Sequence, residues 1–207
     1  MTLTEIYKKR KQTKLFDTKI IPEKKLINNL LEKTFELTAS KQNLMPYKIH
    51  VLGPEHQSVK EEFNNIVLTL KGGQNNDNII TGPYILFFTH RLVKPNSIIQ
   101  SRIDKGHVYH VCDIGKYKWQ KREVAIEIGM FSKILTGLCM ENNIDVAYNL
   151  CFPSFEDSKE LYKNFSFLDN EAIVFTMQLG YKDNTVSKTY KKDWSQKPSL
   201  NEVIKWF

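Results

Sequence analysis

Cysteine is scarce in this 207-residue chain, which has only three, at positions 112, 139 and 151. They are widely spaced, odd in number, and no C-x-x-C pair occurs among them. Such a set argues against a disulfide framework and is typical of reduced, structural thiols. We therefore predict a cytoplasmic protein that holds its fold without disulfide bonds.

Long apolar runs are also absent. No stretch of about 18 or more consecutive apolar residues occurs, so we predict no transmembrane helix and no membrane partner. The amino-terminal residues are polar and basic from Glu5 onward, whereas a secretory signal peptide has an apolar centre.

The sequence lacks the short motifs of several common enzyme classes. No GxxxxGK[ST], GxGxxG, HExxH or GxSxG pattern is present, and no serine has a recognisable triad context. His107, His110 and Cys112 are spaced like metal ligands but have no second ligand cluster, so we predict no metal site. If the chain is an enzyme, a bound cofactor supplies its reactivity.

Negative charge is in short supply, because 30 Lys and Arg residues stand against 23 Asp and Glu, a net charge of +7. This balance suits an anionic partner, such as a phosphorylated ligand, a nucleic acid or a membrane surface. The cations are spread over the chain without a nucleic-acid-binding motif. A nucleic-acid-binding protein therefore stays as the weaker alternative.

Hydrophobic periodicity predicts an α+β fold in a single domain spanning residues 1–207. Residues 91–118 show no clear period, and we predict a long surface excursion there, of a kind that often forms a lid. Caps and helical spacing predict helices over residues 2–9, 22–38, 63–70, 119–138, 154–165 and 199–207. Apolar runs of strand length predict strands over residues 48–52, 83–90 and 172–179.

Two polar segments flank the second predicted helix. If residues 8–14 are extended, Arg10, Gln12 and Lys14 lie on one side, where an Arg fork and a Lys charge suit a phosphate. Residues 40–43, with the sequence SKQN, offer donors and acceptors together, which suits a heterocycle with alternating C=O and N–H groups. The alternatives are a solvated helix end and an ordinary polar loop.

Five segments, in this order and spacing, resemble the FMN-dependent nitroreductases. The opening KRKQTKLFD is similar to the family's basic R-x-S/T-x-K/R-x-F(D) pattern, and SKQNLMPY is similar to its P-S-x-x-N-x-Q-P-W segment. The apolar helix at residues 119–138 resembles the family's long central helix. The other two resemblances are the strand-end LGY at residues 179–181 and the basic pair 191–192 ahead of the last predicted helix.

The resemblance implies a nitroreductase-like sandwich, in which helices flank a central mixed or antiparallel sheet, assembled as an intertwined homodimer with FMN at the interface. It implies an NAD(P)H-dependent oxidoreductase that passes hydride through the flavin to a nitroaromatic, a quinone or a similar flat acceptor. The alternatives within the family are a specialised relative, in dehalogenation or oxidative tailoring, and a non-redox member that has lost FMN.

Carried onto this sequence, the family's motifs assign FMN contacts residue by residue. Arg10 and Lys11 would contact the phosphate or ribityl chain, and Gln12 replaces the usual Ser or Thr beside them. Lys14 would lie near flavin N1 and the C2 carbonyl, where a cation stabilises the reduced, anionic flavin. The remaining assigned contacts are Ser40, Lys41 and Asn43 from the neighbouring subunit's side, Lys191 and Lys192 at the phosphate, and Lys71 and Asn75 at the flavin ring.

The sequence departs from the family's pattern at several of its motif positions. Met45 stands where Gln is usual, and Tyr47 stands where Trp is usual. Asp193 falls near a position that is often Arg. These changes concern the flavin site and the acceptor rather than the fold.

Overall fold

The structure, a computed structural model, describes residues 2–70, 77–109, 112, 121–149, 165–168, 173–185 and 197–205. Its helices are α1 (Leu3–Lys9), α2 (Lys24–Leu37), α3 (Gln57–Leu70), α4 (Asp77–Thr81), α5 (Ser97–Asp104), α6 (Lys121–Glu141) and α7 (Leu200–Val203). Its strands are β1 (Tyr47–Leu52), β2 (Tyr84–His90), β3 (Asp145–Asn149) and β4 (Ile173–Gly180). Over these ranges, no helix combines the length and the apolarity that crossing a membrane requires.

The strands form one antiparallel sheet in the order β1-β2-β4-β3. Strand β2 is central, and all seven of its residues are buried, as its uninterrupted apolar sequence predicts. Val146 of β3 and Tyr84 of β2 both pair with Leu179, which places β4 between them. The predicted α+β class is confirmed, and the sheet is antiparallel rather than mixed in the described part of the chain.

Two helical layers cover the sheet because successive side chains of a strand point to opposite faces. Leu86 and Phe88 of β2 pack with the apolar sides of α2 and α6 in the larger core cluster. Ile85 and Phe87 point the other way and pack against α3, where the rings of Phe63 and Phe87 meet edge to face at 4.9 Å. Helix α6 therefore lies on one face of the sheet, beside β3.

Several elements differ from the sequence predictions, and helix α4 is one for which no helix was predicted. Strand β3 was not predicted at all, and the excursion at 91–118 contains helix α5, capped by the Asn96 side chain, which accepts from the Ile99 N–H at 2.9 Å. The capping box at Ser199 is present, but α7 stops at Val203 because Ile204 has extended backbone angles. The predicted helix at 154–165 lies outside the described residues except for its last position.

Lys60 on α3 is a buried cation, with 1% of its surface exposed. Its ammonium donates to the Gly82 carbonyl at 3.0 Å and to the Pro83 carbonyl at 2.7 Å, which ties α3 to the start of β2. Desolvation lowers the pKa of Lys60 to about 8, against the opposing charge of Glu55. The contact therefore fixes the helix to the sheet at an electrostatic cost that depends on pH.

We expect the free energy of unfolding to rise by about 1.5 kcal/mol between about pH 8 and 9.5 through Lys60 alone. In this window the unfolded chain, with a lysine pKa near 10.4, binds more protons than the folded chain, so stability increases with pH. Urea unfolding of the parent and Lys60→Met across this range measures the difference. Burial also raises the pKa of Tyr47 and Tyr84, which lowers the free energy of unfolding at higher pH. Both tyrosines are present in the parent and in Lys60→Met, so their effect cancels when the two proteins are compared.

The matched control for this experiment is Lys33→Met, which removes an exposed lysine on α2. Its pH profile should follow that of the parent. If the free energy of unfolding depended on pH in the same way in the parent and in Lys60→Met, the lowered pKa of Lys60 would be contradicted.

Candidate functional site

The segment after α1 lies along β3, which is the edge strand of the sheet on that side. The Thr13 N–H donates to the Val146 carbonyl at 3.2 Å. The Gln12 amide pairs with the backbone of Tyr148 in both directions, donating to its carbonyl at 2.8 Å and accepting from its N–H at 3.2 Å. Gln12 thus acts like a peptide group of a neighbouring strand and anchors the segment.

Arg10 is held over the end of the same strand. It ends α1 with extended backbone angles, and its guanidinium carbon lies 4.4 Å from the centre of the Tyr148 ring. Its Nη2 donates to Gln12 Oε1 at 3.3 Å, while its Nε is buried and has no hydrogen-bond partner. Because an unpaired buried donor is costly, this atom points to an acceptor supplied by a ligand.

The ring beneath Arg10 is itself fixed. Tyr148 packs against Phe175 with ring centres 5.5 Å apart, and its hydroxyl is hydrogen-bonded to Thr136 of α6. The guanidinium therefore rests on a platform that joins the edge of the sheet to the carboxyl-terminal half of α6. Cation–π contact and the Gln12 bond together hold the Arg10 side chain in place.

Lys133 lies close to Arg10 and to a third cation, Lys197. Lys133 of α6 places its ammonium 3.5 Å from the centre of the Tyr7 ring, and the Tyr7 hydroxyl donates to the Lys133 carbonyl at 2.8 Å. Desolvation lowers the pKa of Lys133, and the charges of Arg10 and Lys197 lower it further. Because neighbouring cations disfavour the charged form of Lys133, an anion bound beside it would relieve the repulsion.

Lys133 and Lys197 were not among the residues predicted from the sequence. Lys133 is an isolated lysine on a largely apolar helix, and Lys197 precedes the Ser199 capping box. Neither has a local sequence signal, because their role depends on where α1 ends in space. We call Arg10, Lys133 and Lys197 the cationic cluster.

The second predicted segment forms a loop fixed by a buried carboxylate of α6. Glu127 accepts from the Ser40 hydroxyl at 2.7 Å and from the Lys41 N–H at 3.2 Å. The Ser40 oxygen in turn accepts from the Met45 N–H at 2.9 Å. Ser40 therefore closes the loop on itself, and Asn43 stays exposed at its tip.

This loop is strained. Gln42, Asn43 and Met45 all have left-handed backbone angles, with φ values of 57°, 56° and 44°. Arg91 supports the loop through two bonds, from Nε to the Met45 carbonyl at 3.0 Å and from Nη2 to the Leu44 carbonyl at 2.6 Å. Non-glycine residues in this conformation cost on the order of 1 kcal/mol or more each, and they concentrate at functional sites.

The two polar segments contact α6 at different positions along its axis. The loop contacts Glu127, whereas the Arg10 platform contacts Thr136, and these residues lie about 14 Å apart along the helix axis. The structure thus brings Arg10 and Gln12 into contact, and it places Ser40 and Lys41 together at the other position. A ligand that touches both segments must be elongated or must lie between two chains.

Several predicted residues add charge or cannot be placed. Lys11 and Lys14 are exposed beside Gln12. Lys71, Asn75, Lys191 and Lys192 lie outside the described residues, as does Asp193. Within the described ranges, no three His, Cys, Asp or Glu side chains are grouped as metal ligands.

No family model and no curated protein matches this sequence. Solved structures do match in fold. A candidate NAD(P)H:FMN oxidoreductase from Staphylococcus epidermidis is 14% identical with a TM-score of 0.74, over 100% of this chain and 96% of its own. A nitroreductase-like protein from Streptococcus mutans is 12% identical with a TM-score of 0.69, over 99% and 97%.

A third neighbour was solved in complex with FMN. It is a candidate nitroreductase from Exiguobacterium sibiricum, 15% identical with a TM-score of 0.69, and the match covers 100% of this chain and 98% of that one. The chain therefore has the nitroreductase fold, which confirms the resemblance found in its sequence. At these identities the likeness establishes the fold.

Proposed function

We propose that this protein is a cytoplasmic, FMN-dependent oxidoreductase of nitroreductase type. It would use NAD(P)H to reduce a nitroaromatic, a quinone or a similar flat acceptor. The observation that carries the proposal is the cationic cluster, whose unpaired Arg10 Nε fits a phosphorylated cofactor. Bound FMN supplies the hydride-transfer chemistry for which the sequence has no catalytic motif.

The chain's own residues would bind and orient the cofactor. The cationic cluster would hold the phosphate, with Lys191 and Lys192 adding charge. Gln12 would keep the Arg10 segment against β3, which positions the guanidinium. The remaining contacts proposed from the sequence are Lys11 and Lys14 beside the cluster, Ser40, Lys41 and Asn43 on the strained loop, and Lys71 and Asn75.

Exposed apolar side chains support a homodimer built on α6. Ile126 and Met130, one helical turn apart, are 54% and 39% exposed, and a Cβ added at Gly129 between them would meet no atom within 4 Å. On α2, which packs against α6, Phe35 is 59% exposed. Such a surface is costly in water and suits a second copy of the chain.

A two-fold dimer would also account for the separation of the two polar segments. It would bring the Arg10 segment of one chain toward the strained loop of the other, so that one ligand touches both. Each FMN site would then contain residues from both subunits. Cofactor binding and dimer formation would consequently be coupled.

The visible absorption spectrum of the purified protein tests the function. We expect a flavin band that shifts or sharpens on binding of added FMN and that bleaches when NADH or NADPH is added without oxygen. Addition of a quinone should restore the band. A protein that binds no FMN even at high concentration would contradict the proposal and would direct attention to salt-dependent nucleic-acid binding.

A further inference from the structure

Tyr109 lies beyond the end of α5, and its hydroxyl joins that region to the strained loop. The phenolic oxygen accepts from Gln42 Nε2 at 3.0 Å and from Arg102 Nη1 at 3.2 Å. A hydroxyl that accepts twice still has its own proton to donate. Within the described residues, no acceptor takes this proton.

Apolar packing and the contact with Gln42 hold Tyr109 in place. Its ring packs in a small apolar cluster with Leu44 of the loop and Ile99 of α5. Gln42, which donates to it, keeps a left-handed backbone and leaves its own Oε1 buried without a partner. The hydrogen bond between Gln42 and Tyr109 therefore forms despite two costs at Gln42, its left-handed backbone and its unpaired amide oxygen.

The surroundings of the hydroxyl are cationic. Hydrogen bonds from Arg102 and Gln42 lower the pKa of Tyr109, and the charges of Arg102 and Lys41 act in the same direction. The field at Tyr109 thus favours a negatively charged ligand.

We propose that Tyr109 and Arg102, with Lys41 beside them, recognise a carboxylate on the electron acceptor. The Tyr109 O–H donates to one carboxylate oxygen, and a remaining N–H of the Arg102 guanidinium donates to the carboxylate as well. Gln42 is a positioning residue that aims the phenol. The inference rests on the proposed function, because it makes the strained loop one wall of the acceptor site.

The direct test is binding of benzoate and of benzamide to the purified full-length protein, measured by titration calorimetry. The two molecules share a ring and differ in charge, and neither is reduced. We expect benzoate to bind about tenfold more tightly than benzamide, and Tyr109→Phe or Arg102→Gln to remove most of that preference. Lys105→Gln, which removes an exposed charge of the same segment, should retain it.

A second readout uses turnover with 4-nitrobenzoate and 4-nitrobenzamide. We expect Tyr109→Phe and Arg102→Gln to raise the KM for 4-nitrobenzoate about tenfold, with the FMN content and the kinetics of 4-nitrobenzamide close to those of the parent. Equal binding of benzoate and benzamide by the parent would overturn the inference, as would an equal loss in Lys105→Gln. A protein that binds benzoate as expected but carries no FMN would refute the proposed function alone.

Discussion

Replacing Arg10 by Ala is expected to weaken FMN binding at least about tenfold, and combining it with Lys133→Met is expected to weaken it about 100-fold or more. A charge-assisted contact to phosphate contributes on the order of 1.5–3 kcal/mol, and about 1.4 kcal/mol corresponds to a tenfold change. The buried, unpaired Nε of Arg10 makes its contribution the larger of the two. Quenching of flavin fluorescence on titration of the apoprotein measures the affinity.

Riboflavin makes this experiment specific, because it has the same ring system but no phosphate. The variants should bind riboflavin about as the parent does, so that the ratio of the two affinities is the readout. Lys9→Ala removes an exposed cation next to Arg10 and is the control for general charge. Arg10→Ala with undiminished FMN affinity, or with an equal loss for riboflavin, would show that the phosphate is bound elsewhere.

The main elements of the fold could be predicted because burial leaves a periodic pattern in the sequence. Strand β2 is buried on both faces and reads as one apolar run, and α6 repeats its buried residues at helical spacing. Strand β3 gave no such signal. It has five residues, with Asp145 at its start and Asn149 at its end, and it forms because β4 offers a free edge.

The candidate site likewise contains residues that the sequence predicted and residues that it did not. Arg10 and Gln12 were found because they lie in a dense local motif, and the structure brings them together on Tyr148. Lys133 and Lys197 could not be found, because only the folded chain brings the end of α1 and the residues before α7 near Lys133 of α6. Gln12, at a position that the resemblance associates with the cofactor, binds the backbone of Tyr148 and anchors the segment.

The strained loop was beyond sequence reasoning for a different reason. Left-handed backbone is expected at Gly or Asn, and two of the three such residues here are Gln42 and Met45. Their conformation is imposed by the bonds to Glu127 and Arg91, both distant in the chain. The contact of Gln42 with Tyr109 likewise joins residues without any local pattern between them.

In the proposed homodimer, the double variant Ile126→Glu, Met130→Glu is expected to produce a monomer and to remove FMN with it. Two carboxylates on the exposed face of α6 would be buried without partners at the proposed interface, which costs several kcal/mol and raises the dimer dissociation constant at least about 100-fold. Both positions already face water in the single chain, so the fold of each subunit should persist.

Light scattering coupled to size exclusion, with the flavin absorbance recorded on the same column, measures both effects together. Ile20→Glu is the matched control, because Ile20 is similarly exposed but lies in the loop before α2. That variant should stay dimeric and yellow. A monomeric double variant with full FMN content would place the cofactor within one chain, and the 14 Å between Glu127 and Thr136 would then have to be spanned by the cofactor itself. A double variant that stayed dimeric would show that the interface does not include this face of α6.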